Sequence, residues 1–306
     1  MKIHLQVPAC LFLGLAPIDG EWCEIGVALQ GPRIDLTAQP AYEFIASGGR
    51  ADWTNEQAQR FFAHYNLQPS GELEIESGLP AAMGYGSDAM HSLAVAQVLS
   101  PFYGSVTIDP DTIPDALNLP AHACEVQAYQ NGGLVAVDGT GRLRRHVPID
   151  FIDDDNAWVW ILVMPMPPDG LPEDYELQQR RTLWQAKANI NREAAFAAAN
   201  QLFNAAERRE FNAFAQALAK LRAESAPAQS QADADDDPIL PLLQANGAAM
   251  QARALSGLGY YSIIHGGDAS RTIRQALVKA LGYFGPEVMG VICDNDGATM
   301  KVLSPE

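Results

Sequence analysis

Short apolar runs dominate the first 47 residues. Ile3-His4-Leu5-Gln6-Val7, Cys10–Leu15, Glu24–Leu29 and Arg33–Thr37 are separated by proline, glycine and aspartate, the usual punctuation of strands. Thr54–Tyr65 predicts a helix that begins near Thr54 or Asn55. Glu72-Leu73-Glu74-Ile75-Glu76 alternates polar and apolar, the period of a half-buried strand. Leu79–Ala89 follows, and then Met90, Leu93, Ala94 and Val98 recur at helical spacing. A Gly84-Tyr85-Gly86-Ser87 turn therefore sits where a strand ends and a helix begins. The chain is turn-rich from Pro101 to Pro120. Glu125 to Asp138 predicts two strands around Asn131-Gly132-Gly133, a hairpin signal. Trp158–Met164 predicts a buried strand. In the second half, Thr182 to Ala223 predicts two helices with a break near Asn204 to Arg208, and Pro238 to Ala254 another. Tyr260–Ile264 predicts a strand and Ser270–Leu281 a helix. Val288–Asp294 and Thr299–Leu303 predict a closing hairpin through Asn295-Asp296-Gly297. No repeat and no regular βαβα alternation is present. The expected class is α+β, with a β-rich portion over 1–165 and a helix-rich portion over 166–306.

The glycine turn has a physical use. Helix N-termini carry unpaired N–H groups and partial positive charge, which attract anions such as phosphate. Glycines let a ligand approach the backbone without a Cβ in the way. Asp88 conflicts with that use, because a fixed negative charge competes for the same amides. It reads either as a helix N-cap or as a ligand for a metal that bridges to phosphate.

Composition sharpens the conflict. The chain of 306 residues has 20 Lys plus Arg against 37 Asp plus Glu, a formal charge of −17. Such a surface repels nucleic acid and anionic membranes, so neither is an expected partner. A phosphate-handling protein of this charge must concentrate its few cations. Cys10, Cys23, Cys124 and Cys293 show no metal-ligand spacing, and reduced, buried thiols in the cytoplasm are expected. No signal-peptide pattern and no apolar run of about 18 residues is seen.

Pro80-x-x-x-Gly84-x-Gly86-Ser87 before an Ala-rich helix resembles the second motif of the GHMP kinase superfamily: proline, three residues, glycine, leucine, glycine, serine and a small residue. Within it, the chain is most similar to β-ribofuranosylaminobenzene 5′-phosphate synthases. Ile25–Leu29 with Pro32, Leu93–Ala96, Gly132–Gly139, Glu210–Leu218 and Val291–Ala298 resemble segments of that family. The resemblance implies a two-lobed α+β fold and a phosphate-binding loop at Gly84, Tyr85, Gly86, Ser87 and Asp88. It implies condensation of 4-hydroxybenzoate with phosphoribosyl pyrophosphate, with release of CO2 and pyrophosphate, in tetrahydromethanopterin biosynthesis. Mg²⁺ would accompany the pyrophosphate leaving group. The chain departs from the family in two segments and at three single positions. Its first-strand arginine falls at Cys10. Its Arg-(Ser/Thr)-Gly-Ile-Gly segment falls near Leu119–Cys124. Its late glycine motif is reduced to Ser256-Gly257-Leu258-Gly259. Tyr85 and Asp88 replace a leucine and a small residue.

Catalytic candidates are few: Asp88 and His122, with His91 one turn into the helix. Arg142, Arg144 and Arg145 with His146 form the densest basic cluster, read as a solvated hairpin. Asp153-Asp154-Asp155 reads as a charged turn, and His265-Gly266-Gly267-Asp268 as a second glycine turn opening a helix. Ser225 to Asp237 has the composition of a mobile acidic loop. Three function classes follow: the synthase, a non-catalytic ligand- or partner-binding protein of the same fold, and an ATP-dependent small-molecule kinase. A small phosphorylated ligand is the expected partner, with a homodimer or protein partner left open.

Overall fold

The computed structural model describes residues 1–103, 123–149, 154–172, 174–226, 238–282 and 285–303. Strands β1 (Lys2–Ile18) and β2 (Glu21–Gln39) pair antiparallel along most of their length. They are joined by Asp19 and Gly20, both at positive φ, which a tight hairpin turn requires. The short runs expected before residue 47 are therefore two long strands. Pro8 and Gly14 do not end β1, because register shifts occur between Val7 and Ala9 and between Phe12 and Gly14. Such irregularities free the chain from a regular ladder position.

The first sheet has seven strands. Its main path runs β11 (Thr299–Leu303), β1, β2, β4 (Gly71–Ser77), β3 (Phe44–Gly48). The first half of β2 carries β5 (Leu134–Asp138), which pairs in turn with β6 (Leu143–Val147). The second sheet is antiparallel, in the order β10 (Glu287–Val291), β7 (Trp158–Met164), β9 (Tyr260–His265), β8 (Met250–Arg253).

Helices α1 (Ala51–Tyr65), α2 (Ser87–Leu99) and α3 (Ala123–Asn131) are followed by α4 (Tyr175–Ala186), α5 (Arg192–Glu207) and α6 (Phe211–Ser225). Helices α5 and α6 pack on each other and on β1. Helices α7 (Ile239–Ala245) and α8 (Gly267–Leu281) cover one face of the second sheet, with Leu243, Ile273 and Leu277 against Val159, Ile161 and Ile264. The other face sets Trp158 and Trp160 against Phe214. Strand β7 is thus buried on both sides, which explains its unbroken apolar run.

Four expectations are corrected. Residues 123–131 form a helix, because they are packed against β1, β2 and β5 and show no single apolar face. Gly132, at φ 63, ends that helix instead of turning a hairpin. The helix expected over Pro238 to Ala254 stops at Ala245, and β8 follows. Over Thr182 to Ala223 the expected break falls at 208–210, between α5 and α6, but the end of a third helix, α4, precedes them. Strands β10 and β11 do not pair with each other: β10 joins β7, and β11 returns to β1. The acidic segment 227–237 lies outside the described residues. Among the described residues no helix is long and apolar enough to cross a membrane.

Candidate functional site

Strand β4 leads through Leu79–Gly86 into α2, the strand–turn–helix expected for the glycine loop. Gly84 and Gly86 have φ 85 and 74, and Gly86 is the N-cap. A Cβ at Gly86 would stand 2.9 Å from Glu125 Cγ. The Cys10 amide donates to the Tyr85 carbonyl (3.0 Å), which pins the loop to β1. The Ser256–Gly259 segment lies along the loop: Leu258 N–H donates to the Ala82 carbonyl (2.8 Å) and Gly259 N–H to the Met83 carbonyl (3.1 Å). Tyr85 reaches across to the Tyr260 carbonyl (3.0 Å), and burial pushes its hydroxyl pKa up. The two glycine segments read separately in the sequence are thus neighbours.

The loop amides are already in use. Glu176, in the first turn of α4, accepts from Gly84 N–H through Oε1 (2.7 Å) and from Ser87 N–H through Oε2 (3.0 Å). The carboxyl group is buried, at 3% exposure. It stands where an incoming anion would have to bind. Burial first, and then the charge of Asp88, raise its pKa well above the usual carboxylate range; the Gly84 amide and Arg50 oppose them.

Asp88 is not the N-cap. It lies inside α2 and accepts from Arg50 Nη2 at 3.0 Å, and it is buried. Arg50 follows β3 and lies over the Trp53 ring, 4.9 Å from its centroid. A divalent ion at Asp88 would have to share it with that guanidinium, so the residues present do not suit Mg²⁺ in this arrangement.

One helical face supplies the rest. Glu176, Arg180 and Trp184 follow at i, i+4 and i+8 along α4. Arg180 Nη1 pairs with Glu24 Oε2 (3.0 Å) and donates to Cys124 Sγ (3.3 Å), while Nη2 pairs with Glu125. Its guanidinium lies 3.8 Å from the centroid of the Phe12 ring. Trp184 Nε1 donates to Glu24 Oε1 (2.5 Å). Burial opposes the charge on Arg180, but Glu125 and Glu24 outweigh it and hold the group protonated. Cys10 and Cys124 lie side by side, 4.0 Å apart, in this same cluster. Arg180 thus brings a cation from α4 to the side of Cys124 and Cys10. Both of its terminal nitrogens are engaged, while its buried Nε has no hydrogen-bond partner. Four buried carboxyl groups (Glu24, Asp88, Glu125, Glu176) face two guanidinium groups (Arg50, Arg180).

His91 is buried and its Nδ1 faces the Ser87 carbonyl at 2.8 Å, so Nδ1 carries the proton and donates. Burial, with help from Arg50, lowers its pKa to about 3. A depressed histidine stabilises the fold above its unfolded pKa near 6.5, and that contribution is lost as pH falls towards 3. Glu176 has the opposite sign: its contribution is present at low pH and is lost as pH rises from the ordinary carboxylate value to its raised one. The two partly cancel. His91→Gln is therefore expected to lower the slope of stability against pH by up to about 1.4 kcal/mol per unit between pH 4 and 6. Denaturant titrations of both proteins across that range measure it, and parallel slopes would count against a neutral buried His91.

The other candidates disperse. His122 lies outside the described residues, as does Asp153. Arg144 pairs with Asp138 across the β5–β6 hairpin, and Arg145, over the Phe203 ring, pairs with Glu207 and ties β6 to α5. Asp154 accepts from Arg271, on α8, and its carbonyl accepts from Gly267 N–H. Neither Glu176 nor Arg180 was singled out from the sequence. Their signal was the four-residue spacing of charged groups just ahead of the helix expected from Thr182.

No protein-family model matches the chain. A 4-diphosphocytidyl-2-C-methyl-D-erythritol kinase of a Nocardioides species is 26% identical over 188 residues, covering 57% of this chain and 59% of that protein. The match thus spans about three fifths of the length of the curated relative. Homoserine kinase from Cytophaga hutchinsonii superposes with a TM-score of 0.64 at 15% identity, covering 98% of this chain and 97% of the other. Mevalonate diphosphate decarboxylase from Staphylococcus aureus gives 0.63 at 10% identity, with 98% of each chain covered. The chain has the GHMP kinase fold, and these similar proteins include no ribofuranosylaminobenzene phosphate synthase.

Proposed function

We propose that this GHMP-fold chain is a ligand-binding protein that does not transfer a phosphoryl or pentosyl group through its glycine loop. The observation that carries this reading is the Glu176 carboxylate on the Gly84 and Ser87 amides. A nucleotide or phosphoribosyl pyrophosphate would have to displace it and then face three further buried carboxyl groups. Asp88 offers no help while it is paired with Arg50.

A second reading has a specific observation in its favour. Burial and the charge of Asp88 make Glu176 electrostatically costly to hold on the loop, so an anion that brings its own cation could compete for the Gly84 and Ser87 amides. With Glu176 displaced, the chain would act as a transferase: a small-molecule kinase, as the 26%-identical relative is named, or a synthase condensing 4-hydroxybenzoate with phosphoribosyl pyrophosphate.

Thermal unfolding of the purified protein with ATP and with phosphoribosyl pyrophosphate, each with and without Mg²⁺, separates the readings. The expected result is no saturable stabilisation by either. A ligand at a hundred times its Kd adds about 2.7 kcal/mol. A shift of that kind overturns the first reading. CO2 release from 4-hydroxybenzoate would then identify the synthase, and phosphoryl transfer from ATP the kinase.

A further inference from the structure

Cys10 on β1 and Cys124 in the first turn of α3 are 114 residues apart, so no ligand spacing in the sequence joins them. In the fold their Sγ atoms stand 4.0 Å apart, and the Cys124 thiol donates to Glu125 Oε2 at 3.2 Å. All three side chains are buried, and one donor atom from each lies within 4.8 Å of the others. The backbone holds both cysteines in place. The Cys10 amide donates to the Tyr85 carbonyl, and the Cys124 amide to Glu24 Oε2 at 3.2 Å. Gly26 of β2 leaves the sulfurs room: a Cβ there would stand 3.0 Å from Cys124 Sγ and 3.1 Å from Cys10 Sγ.

The donor set and its spacing select an ion. Thiolates are soft ligands, which suit zinc-class metals and not Mg²⁺ or Ca²⁺. A tetrahedral ion with bonds of about 2.3 Å to sulfur and about 2.1 Å to oxygen sets two sulfurs about 3.8 Å apart, and sulfur and oxygen about 3.6 Å apart. The observed spacings reach both values with shifts of a few tenths of an ångström. A disulfide, at about 2.05 Å, requires the sulfurs to close by about 2 Å.

Charge points the same way. Glu24 and Glu125 with Arg180 carry a single net negative charge while both thiols are protonated. A divalent ion that enters as two thiol protons leave keeps that buried charge unchanged. A monovalent ion would add a negative charge away from solvent. Arg180 need not move: it meets Glu125 through Oε1, and its N–H on Cys124 Sγ (3.3 Å) becomes a hydrogen bond to a thiolate. Such outer contacts orient metal ligands.

We propose that Cys10, Cys124 and Glu125 bind one zinc-class divalent ion, with water in the fourth position. The proposal goes beyond the ligand-binding reading above and does not rest on it, because nucleotides probe the loop amides and a thiophilic metal probes the sulfurs.

Titration of the reduced full chain with Co²⁺ tests it, with the ion offered both to the folded protein and during refolding. The expected result is one ion per chain, with tetrahedral d–d bands, a thiolate charge-transfer band and two protons released. Zn²⁺ should bleach the bands and Mg²⁺ should not. Cys10→Ser and Cys124→Ser should each weaken binding by more than the ~10–100-fold typical of a lost outer contact. Cys23→Ser and Cys293→Ser should leave it unchanged. The proposal fails if the wild type shows no thiolate band by either route, or if the band survives in both Cys10→Ser and Cys124→Ser. Undiminished binding by Glu125→Gln overturns the assigned ligand set.

Discussion

Arg180→Met is expected to cost about 3–5 kcal/mol of stability, the largest effect of any single change at this site. The guanidinium is buried at 3% exposure and pairs with Glu24 and Glu125, which are themselves fully buried. Methionine can occupy much of its volume but leaves two carboxylates with no cation. Breaking one side of a buried ion cluster is far more damaging than removing the whole of it. The triple change Arg180→Met, Glu24→Gln, Glu125→Gln should therefore recover most of the loss, because amides carry no uncompensated charge. Arg180→Lys should not, since one ammonium lacks the planar fork that serves both carboxylates and Cys124 together. Guanidinium denaturation of the four proteins measures this. A loss below about 1 kcal/mol for Arg180→Met, or a triple variant no better than the single one, contradicts the ion-cluster account.

Glu176→Ala is expected to cost less, about 2–3 kcal/mol, because it orphans two backbone donors but also removes an expensive buried acid. The penalty should shrink as pH rises from the ordinary carboxylate range towards the raised pKa of Glu176, since the wild-type contribution is lost over that window. The vacated position is shaped for a carboxylate held by Gly84 and Ser87. Formate or acetate should restore stability to the variant and leave the wild type unchanged. ATP and inorganic phosphate should restore little, because Asp88, Glu24 and Glu125 still surround the loop. Recovery by ATP with Mg²⁺, exceeding that by formate, would instead support a transferase whose plug Glu176 mimics the departing anion. Thermal unfolding with each anion reads the difference directly.

Much of the fold was legible in the chain. The alternation at Glu72–Glu76 marked β4, and the glycines at 84 and 86 marked a turn into a helix, because both signals are local. The strand at Trp158–Met164 was legible for the same reason. Pro8 and Gly14 misled, since a bulge tolerates residues that normally end a strand. Helix α3 misled because a helix packed on several sides has no polar stripe to reveal its period. The partners of Glu176, Arg180 and Arg50 lie 92, 55 and 38 residues away, and no pattern of spacing reports such contacts.

The sequence by itself determined the backbone of the glycine loop, its strand-to-helix setting, and the scarcity of cations in a chain of charge −17. Those follow from residue type and near neighbours. Only the tertiary structure decided what the loop amides hold. Helix α4 brings a carboxylate to them and a guanidinium to the place beside Cys10, so a loop built like an anion cradle closes on the chain's own Glu176. The physical reason is that unpaired amides at a helix N-terminus take whichever anion is nearest, and folding sets that distance.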